Sequence, residues 1–113
     1  MSAKNLVRHT MMSLVDFANV VLEHNLSTTE KDKIVNYARE VLTTDWDNLW
    51  VIIEAWLRNS DLKCLDDSIR DFVAQVPQFS DWGTFAINII NNRYQNYWQA
   101  FFENLKRAKT LLE

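Results

Sequence analysis

The chain contains one Gly, one Pro and one Cys in 113 residues. Each shortage excludes something. Hairpins and tight turns draw heavily on Gly and Pro, so a protein built mainly of strands would be starved of turn residues. The single Gly83 cannot make a phosphate-cradling glycine loop, which needs several. The lone Cys64 has no second thiol to pair with, so no internal disulfide framework exists and nothing argues for an oxidising compartment. There is no run of about 18 apolar residues, so no membrane span is expected. The N-terminus lacks a signal-peptide pattern, because Lys4 and Arg8 lead into a stretch broken by His9, Asp16 and Asn19. The expected location is the cytoplasm.

Positive charge is also short. Twelve Lys and Arg stand against fifteen Asp and Glu, for a net charge of −3. A nucleic-acid binder usually presents a basic face, so the balance argues against one. The one basic cluster is Lys106, Arg107 and Lys109, near the C-terminal end of the last expected helix. Cations there suit the negative end of a helix dipole without any phosphate to bind.

What the chain has in quantity is aromatic: five Trp, six Phe and three Tyr. Each buries a large area, so one domain spanning 1–113 can form a core without metal or disulfide. The apolar residues recur at helical spacing. Val7, Met11, Leu14, Ala18 and Val21 step by four, three, four and three, with Val15 and Leu22 widening the stripe. A second helix opens at "STTE", where Ser27 and Glu30 have capping-box spacing, and its buried face is read as Ile34, Tyr37, Ala38, Val41 and Leu42. A third opens at "TTDW": Thr44 caps, Asp45 faces the dipole, and Trp46, Leu49, Trp50, Ile53 and Leu57 run along the core side with Trp56 beside them. A fourth runs from about 65 to 76 through Ile69, Phe72, Val73 and Val76, and Pro77 stops it. A fifth opens at "SDW", Ser80 to Trp82, and meets no breaker before Leu112. A break near Asn91 and Asn92 is the alternative to one continuous rod.

The expected fold is therefore all-α: a five-helix bundle of antiparallel hairpins with a long C-terminal helix over about 81–112. "IVNYAREVLTTDW" and "IRDFVAQVPQFSDW" share a pattern offset by about 36 residues, which points to a duplicated helix–turn–helix unit. Chance resemblance of two short amphipathic segments is the rival explanation.

Catalytic equipment is sparse. His9 and His24 sit fifteen residues apart, far from the three-to-five spacing of paired metal ligands. Glu23 and His24 are adjacent, so the Glu-x-x-His arrangement of a di-iron bundle is missing. Cys64 has Lys63 beside it, but no Cys–His motif surrounds it. Glu54 lies within the apolar "WVIIEAWL", and Arg58 one turn on supplies a partner that explains it without catalysis. Asp66, Asp67 and Asp71 cluster early in the fourth helix, where the dipole favours acids. No enzyme, cofactor or metal is expected from these residues.

Two features of the last helix stand out. Tyr94, Trp98, Phe101, Leu105, Ala108 and Leu112 make a heptad-like seam flanked by Tyr97 and Phe102. Such a stripe is ordinarily the core of its own chain; the functional alternative is a seam shared with another chain. Asn88, Asn91, Asn92, Gln95 and Gln99 form a polar, uncharged stripe opposite, suited to a specific partner or to a plain wetted face. The expected function is a non-catalytic protein-binding module, of adaptor, inhibitor or immunity type. Its candidate contacts are Asn88, Asn92, Gln95, Gln99, Tyr94, Trp98, Phe101 and Phe102, and a basic protein is the suggested partner. The alternative is a homodimer, or a subunit of a larger complex, assembled through the aromatic seam.

Overall fold

The computed structural model describes residues 2–24, 26–75 and 94–113, apart from the side chain of Val73. Among them the chain is helical, in five helices and no strands: α1 (Ala3–Leu22), α2 (Thr28–Thr44), α3 (Trp46–Asn59), α4 (Leu65–Gln75) and α5 (Gln95–Leu112). The second junction of the supposed duplication, from Val76 through Trp82, lies outside the described residues. So does the expected helical stretch from 81 to 93. The described part of the last helix opens at Gln95, with Tyr94 outside it as the N-cap.

Local chemistry sets the helix ends. The Ser2 hydroxyl accepts a hydrogen bond from the Asn5 N–H at 3.2 Å, and Ser27 accepts from the Glu30 N–H at 3.3 Å. Each satisfies one of the N–H groups that a first helical turn leaves free. The expected Thr44 cap is not formed. Helix α2 continues through Thr44, whose hydroxyl donates instead to the Glu40 carbonyl at 2.8 Å. The single residue Asp45 serves as both C-cap of α2 and N-cap of α3, with no side-chain cap bond of its own. Threonine can satisfy its hydroxyl one turn back along a helix, so a capping sequence need not end the helix before it.

Helix α1 is the spine. It packs most extensively against α5 and α2 and also touches α3. Its pairing with α2 is antiparallel: Arg8 Nε donates to the Leu42 carbonyl at 3.2 Å, Arg39 meets Asp16 at 3.4 Å, and Lys31 meets Glu23 at 3.2 Å. Its pairing with α5 is antiparallel too, since Phe17 lies on Tyr97 while Ala3 lies near Leu112. All seven residues read as the α1 stripe are buried. So are all six read as the α3 core side. In α2 the face differs. Val35, Ala38, Val41 and Leu42 are buried, Ile34 only partly, and Tyr37 is exposed. The buried register continues back to Lys31, whose ammonium lies between Glu23 and Asp32 at 3.2 and 3.1 Å. A lysine stem can cover apolar surface while its charge stays paired at the edge, so the core side of α2 begins with a cation.

The connection from α3 to α4 contains the one described non-glycine residue with positive φ, Leu62 at 49°. A left-handed conformation costs a β-carbon-bearing residue on the order of 1–2 kcal/mol. Leu62 is nevertheless almost fully buried, and its side chain joins the core. Burial of a leucine contributes about 1.5–3 kcal/mol, enough to hold the strained backbone in place.

Candidate partner-binding surface

The last helix divides its residues sharply. Trp98 is 1% exposed, and Phe101, Phe102, Leu105 and Ala108 are buried with it. Trp98 meets Phe101 edge-on at 5.5 Å, Phe101 meets Phe72 of α4 at 5.7 Å, and Phe72 meets Trp56 of α3 at 5.1 Å. These edge-to-face contacts link α5 to α4 and α3 as one aromatic chain. Trp98, Phe101 and Phe102 are therefore packed into the protein's own interior. The physical reason is that α1, α3 and α4 already cover the seam. Tyr94 is half-buried, edge-on to Phe17 at 5.1 Å, and Tyr97 stacks on Phe17 at 4.1 Å. Burial, and more weakly the charge of Asp16, push the Tyr97 phenol up to about 12.

Gln95 and Gln99 are exposed, as are Asn96 and Ala100 beside them. Asn88 and Asn92 lie outside the described residues. The expected contact set thus splits into a buried aromatic part and an exposed amide part on adjoining arcs of α5, with Gln95 and Gln99 about 20° and 60° around the axis from Phe102.

Two members of the basic cluster have local partners. Lys109 donates to the Ser60 carbonyl just past α3, and Lys106 lies over the Phe102 ring at 5.1 Å with Glu103 at 3.8 Å. The Glu54–Arg58 pair forms at 3.9 Å, the outer limit of an ion pair. His9, His24 and Cys64 are exposed. Among the described residues no three His, Cys, Asp or Glu side chains come together as metal ligands, and no helix is long and apolar enough to cross a membrane.

Among the described residues, large apolar side chains are exposed singly on α1 (Val20), α2 (Tyr37) and α5 (Leu111), and as an adjacent pair on α3. Val51 is 68% exposed and Ile52 is 40% exposed. At 3.6 residues per turn, taking Val51 as zero, Ala55, Asn48, Asn59 and Ile52 stand at about 40°, 60°, 80° and 100° around the axis. Asn48, Ala55 and Asn59 are all exposed, so an uncharged strip runs along the outside of α3. Asp47 and Arg58 border it on one side, at about −40° and −20°. Asp47 is held by Lys4 at 2.6 Å, which lowers its carboxyl below the usual range through the hydrogen bond and the ammonium charge. Beyond that border an open groove of about 340 Å³ lies between Ala3 and Lys4 of α1, Trp50 and Glu54 of α3, and Leu111 and Leu112 of α5.

Periodicity missed this strip for a definite reason. Helix α3 is apolar nearly all round, and choosing the Trp46–Leu57 face for the core leaves Val51, Ile52 and Ala55 as the remainder. That remainder was the available signal. No protein-family model, curated protein or solved structure matches this chain.

Proposed function

We propose that this chain is a non-catalytic protein-binding module whose recognition surface is the outer face of α3. One observation carries the reading: Val51 and Ile52 are exposed together, within an uncharged strip two to three turns long. Scattered exposed apolar residues are ordinary, but two large adjacent ones set among uncharged neighbours and bordered by charge favour a protein contact. The neighbouring charges, Asp47 and Arg58, are of both signs and sit at the rim, where charge sets register rather than affinity. Adaptor, inhibitor and complex-subunit roles all use such a face. Among foreign proteins, the net charge of −3 favours a basic partner. The unpaired Cys64 suits the reducing cytoplasm as the place of action.

A second surface has an observation of its own. Gln95, Asn96, Gln99 and Ala100 expose an uncharged face on the first turns of α5, and amides can donate and accept toward a partner. The two surfaces are told apart by placing a photoreactive side chain at Val51 or at Gln99 and irradiating in the native host. Adducts from Val51 support the α3 reading. Adducts from Gln99 alone would move the contact to α5, and none from either position would refute the module.

A further inference from the structure

We propose that the occupant of the α3 strip is a second copy of this chain, its α3 running antiparallel to the first. The proposal rests on the α3 reading above and names the partner for it. The argument is one of self-complementarity. Place a two-fold axis between Val51 and Ile52. Val51 then meets the second copy's Val51 on one flank of the strip and Ile52 meets its Ile52 on the other, while Asn48 near the middle faces its Ala55, so large meets large and the amide meets the small residue. An antiparallel two-fold pairing also brings the same flank of each helix together. Asp47 and Arg58 share one flank, about 20° apart around the axis. In this register Asp47 falls opposite position 56 of the other copy, and that copy's Arg58 is two residues, about 3 Å, further along. An acid and a guanidinium therefore meet at each end of the strip, twice by symmetry.

Each group already has a partner on its own chain and keeps exposed surface beyond it. The Asp47 side chain is 88% exposed beside Lys4. The Arg58 side chain is 53% exposed, and its hold on Glu54 is loose at 3.9 Å. A foreign helix would need an independent match to this pattern of charge and size, whereas a second copy has it already. The strip covers only a few turns, well below the roughly 800 Å² per partner of a standard stable interface. The dimer is accordingly weak, with a dissociation constant on the order of 0.1 mM.

Sedimentation equilibrium of the full chain, from about 10 μM to about 1 mM, tests this. The average mass rises with concentration from the 13.4 kDa monomer toward twice that value. A monomer throughout overturns the proposal. Asp47→Arg and Arg58→Asp each weaken self-association tenfold or more, because each makes the two ends of the strip alike in charge. An equimolar mixture of the two variants regains near wild-type association, since opposite charges then meet across the pair. A mixture no tighter than either variant alone overturns the antiparallel register. Circular dichroism confirms that both variants keep their helices; should either not, Asp47→Asn and Arg58→Gln carry the same comparison without new charge. The photoreactive group at Val51 separates the two levels of the reading. Adducts only to other proteins, both in the host and with the purified chain at about 1 mM added to host extract, leave the binding module standing and remove the second copy, and no adducts in either setting remove both.

Discussion

Replacing Trp98 by Ala separates an interior seam from a shared one. The indole is 1% exposed and packs against Tyr97 and Phe101, at 5.8 and 5.5 Å between ring centroids. Removing a buried aromatic of this size typically costs about 3–5 kcal/mol. One circumstance reduces the figure here. The Trp98 Nε1–H is buried with no hydrogen-bond partner among the described residues. Leaving such a donor unpaired costs the folded state about 1–3 kcal/mol, and the alanine variant is relieved of it. The expected net loss is about 2 kcal/mol, or a fall in Tm of roughly 8–12 °C for a domain of this size. Trp98→Phe keeps most of the ring and sheds the unpaired donor, so its loss stays below about 1 kcal/mol. Urea unfolding followed by tryptophan fluorescence measures both. It is run at two concentrations tenfold apart and well below 0.1 mM, where folding and association do not mix. A Trp98→Ala loss under about 1 kcal/mol, or a midpoint that climbs with concentration, would refute the interior assignment.

Other substitutions probe the joints of the fold. The Trp56 indole donates to the Asp71 carboxylate across α3 and α4, so Asp71→Ala should cost about 1–3 kcal/mol by urea unfolding, and Asp71→Asn less. Leu62 combines a left-handed backbone with a buried side chain; Leu62→Ala should lose about 2–3 kcal/mol, and Leu62→Gly no more than that, because glycine releases the strain. A glycine variant clearly worse than the alanine one would show that φ is unstrained there. Alkaline pH should loosen the fold through two groups. Tyr97 is raised from 10.0 to about 12, and Lys31 is raised above 10.5 by its hydrogen bonds to Asp32 and then Glu23. In both cases the folded chain holds the proton more tightly than the unfolded one. Their stability is thus fully present below pH 10 and declines as pH rises toward 12. Unfolding midpoints compared between neutral pH and pH 11 check this, and Tyr97→Phe should flatten part of the decline.

How much of this was legible before the structure differs from helix to helix. In α1 and α3 the apolar spacing named the core residues correctly, because one arc held the largest side chains and packing had no better choice. In α2 the apolar residues Ile34, Val35, Tyr37 and Ala38 span too wide an arc for spacing to fix the rotation. The contacts of Lys31 with Glu23 and Asp32 accompany the Val35 register and leave Tyr37 outside, and a charged residue on the core side is invisible to a hydrophobic period. Thr44 looked like a cap because its sequence context was right; its hydroxyl has an equally good partner in the Glu40 carbonyl. The candidate contacts were half legible. Spacing put Trp98 and Gln99 about 100° apart around one helix, but it could not say which arc the rest of the chain would claim. The same limit hid the α3 strip, since exposure is what remains after all helices have packed.

Hydroxyl-radical footprinting read by mass spectrometry, repeated across a dilution series, tests the whole account most directly. Trp98 and Phe101 should resist oxidation at every concentration, while Val51 and Ile52 react when dilute and become protected near 1 mM. Rapid labelling of Trp98 in dilute solution that disappears on concentration would contradict it, and would return the seam of α5 to the surface of a shared interface.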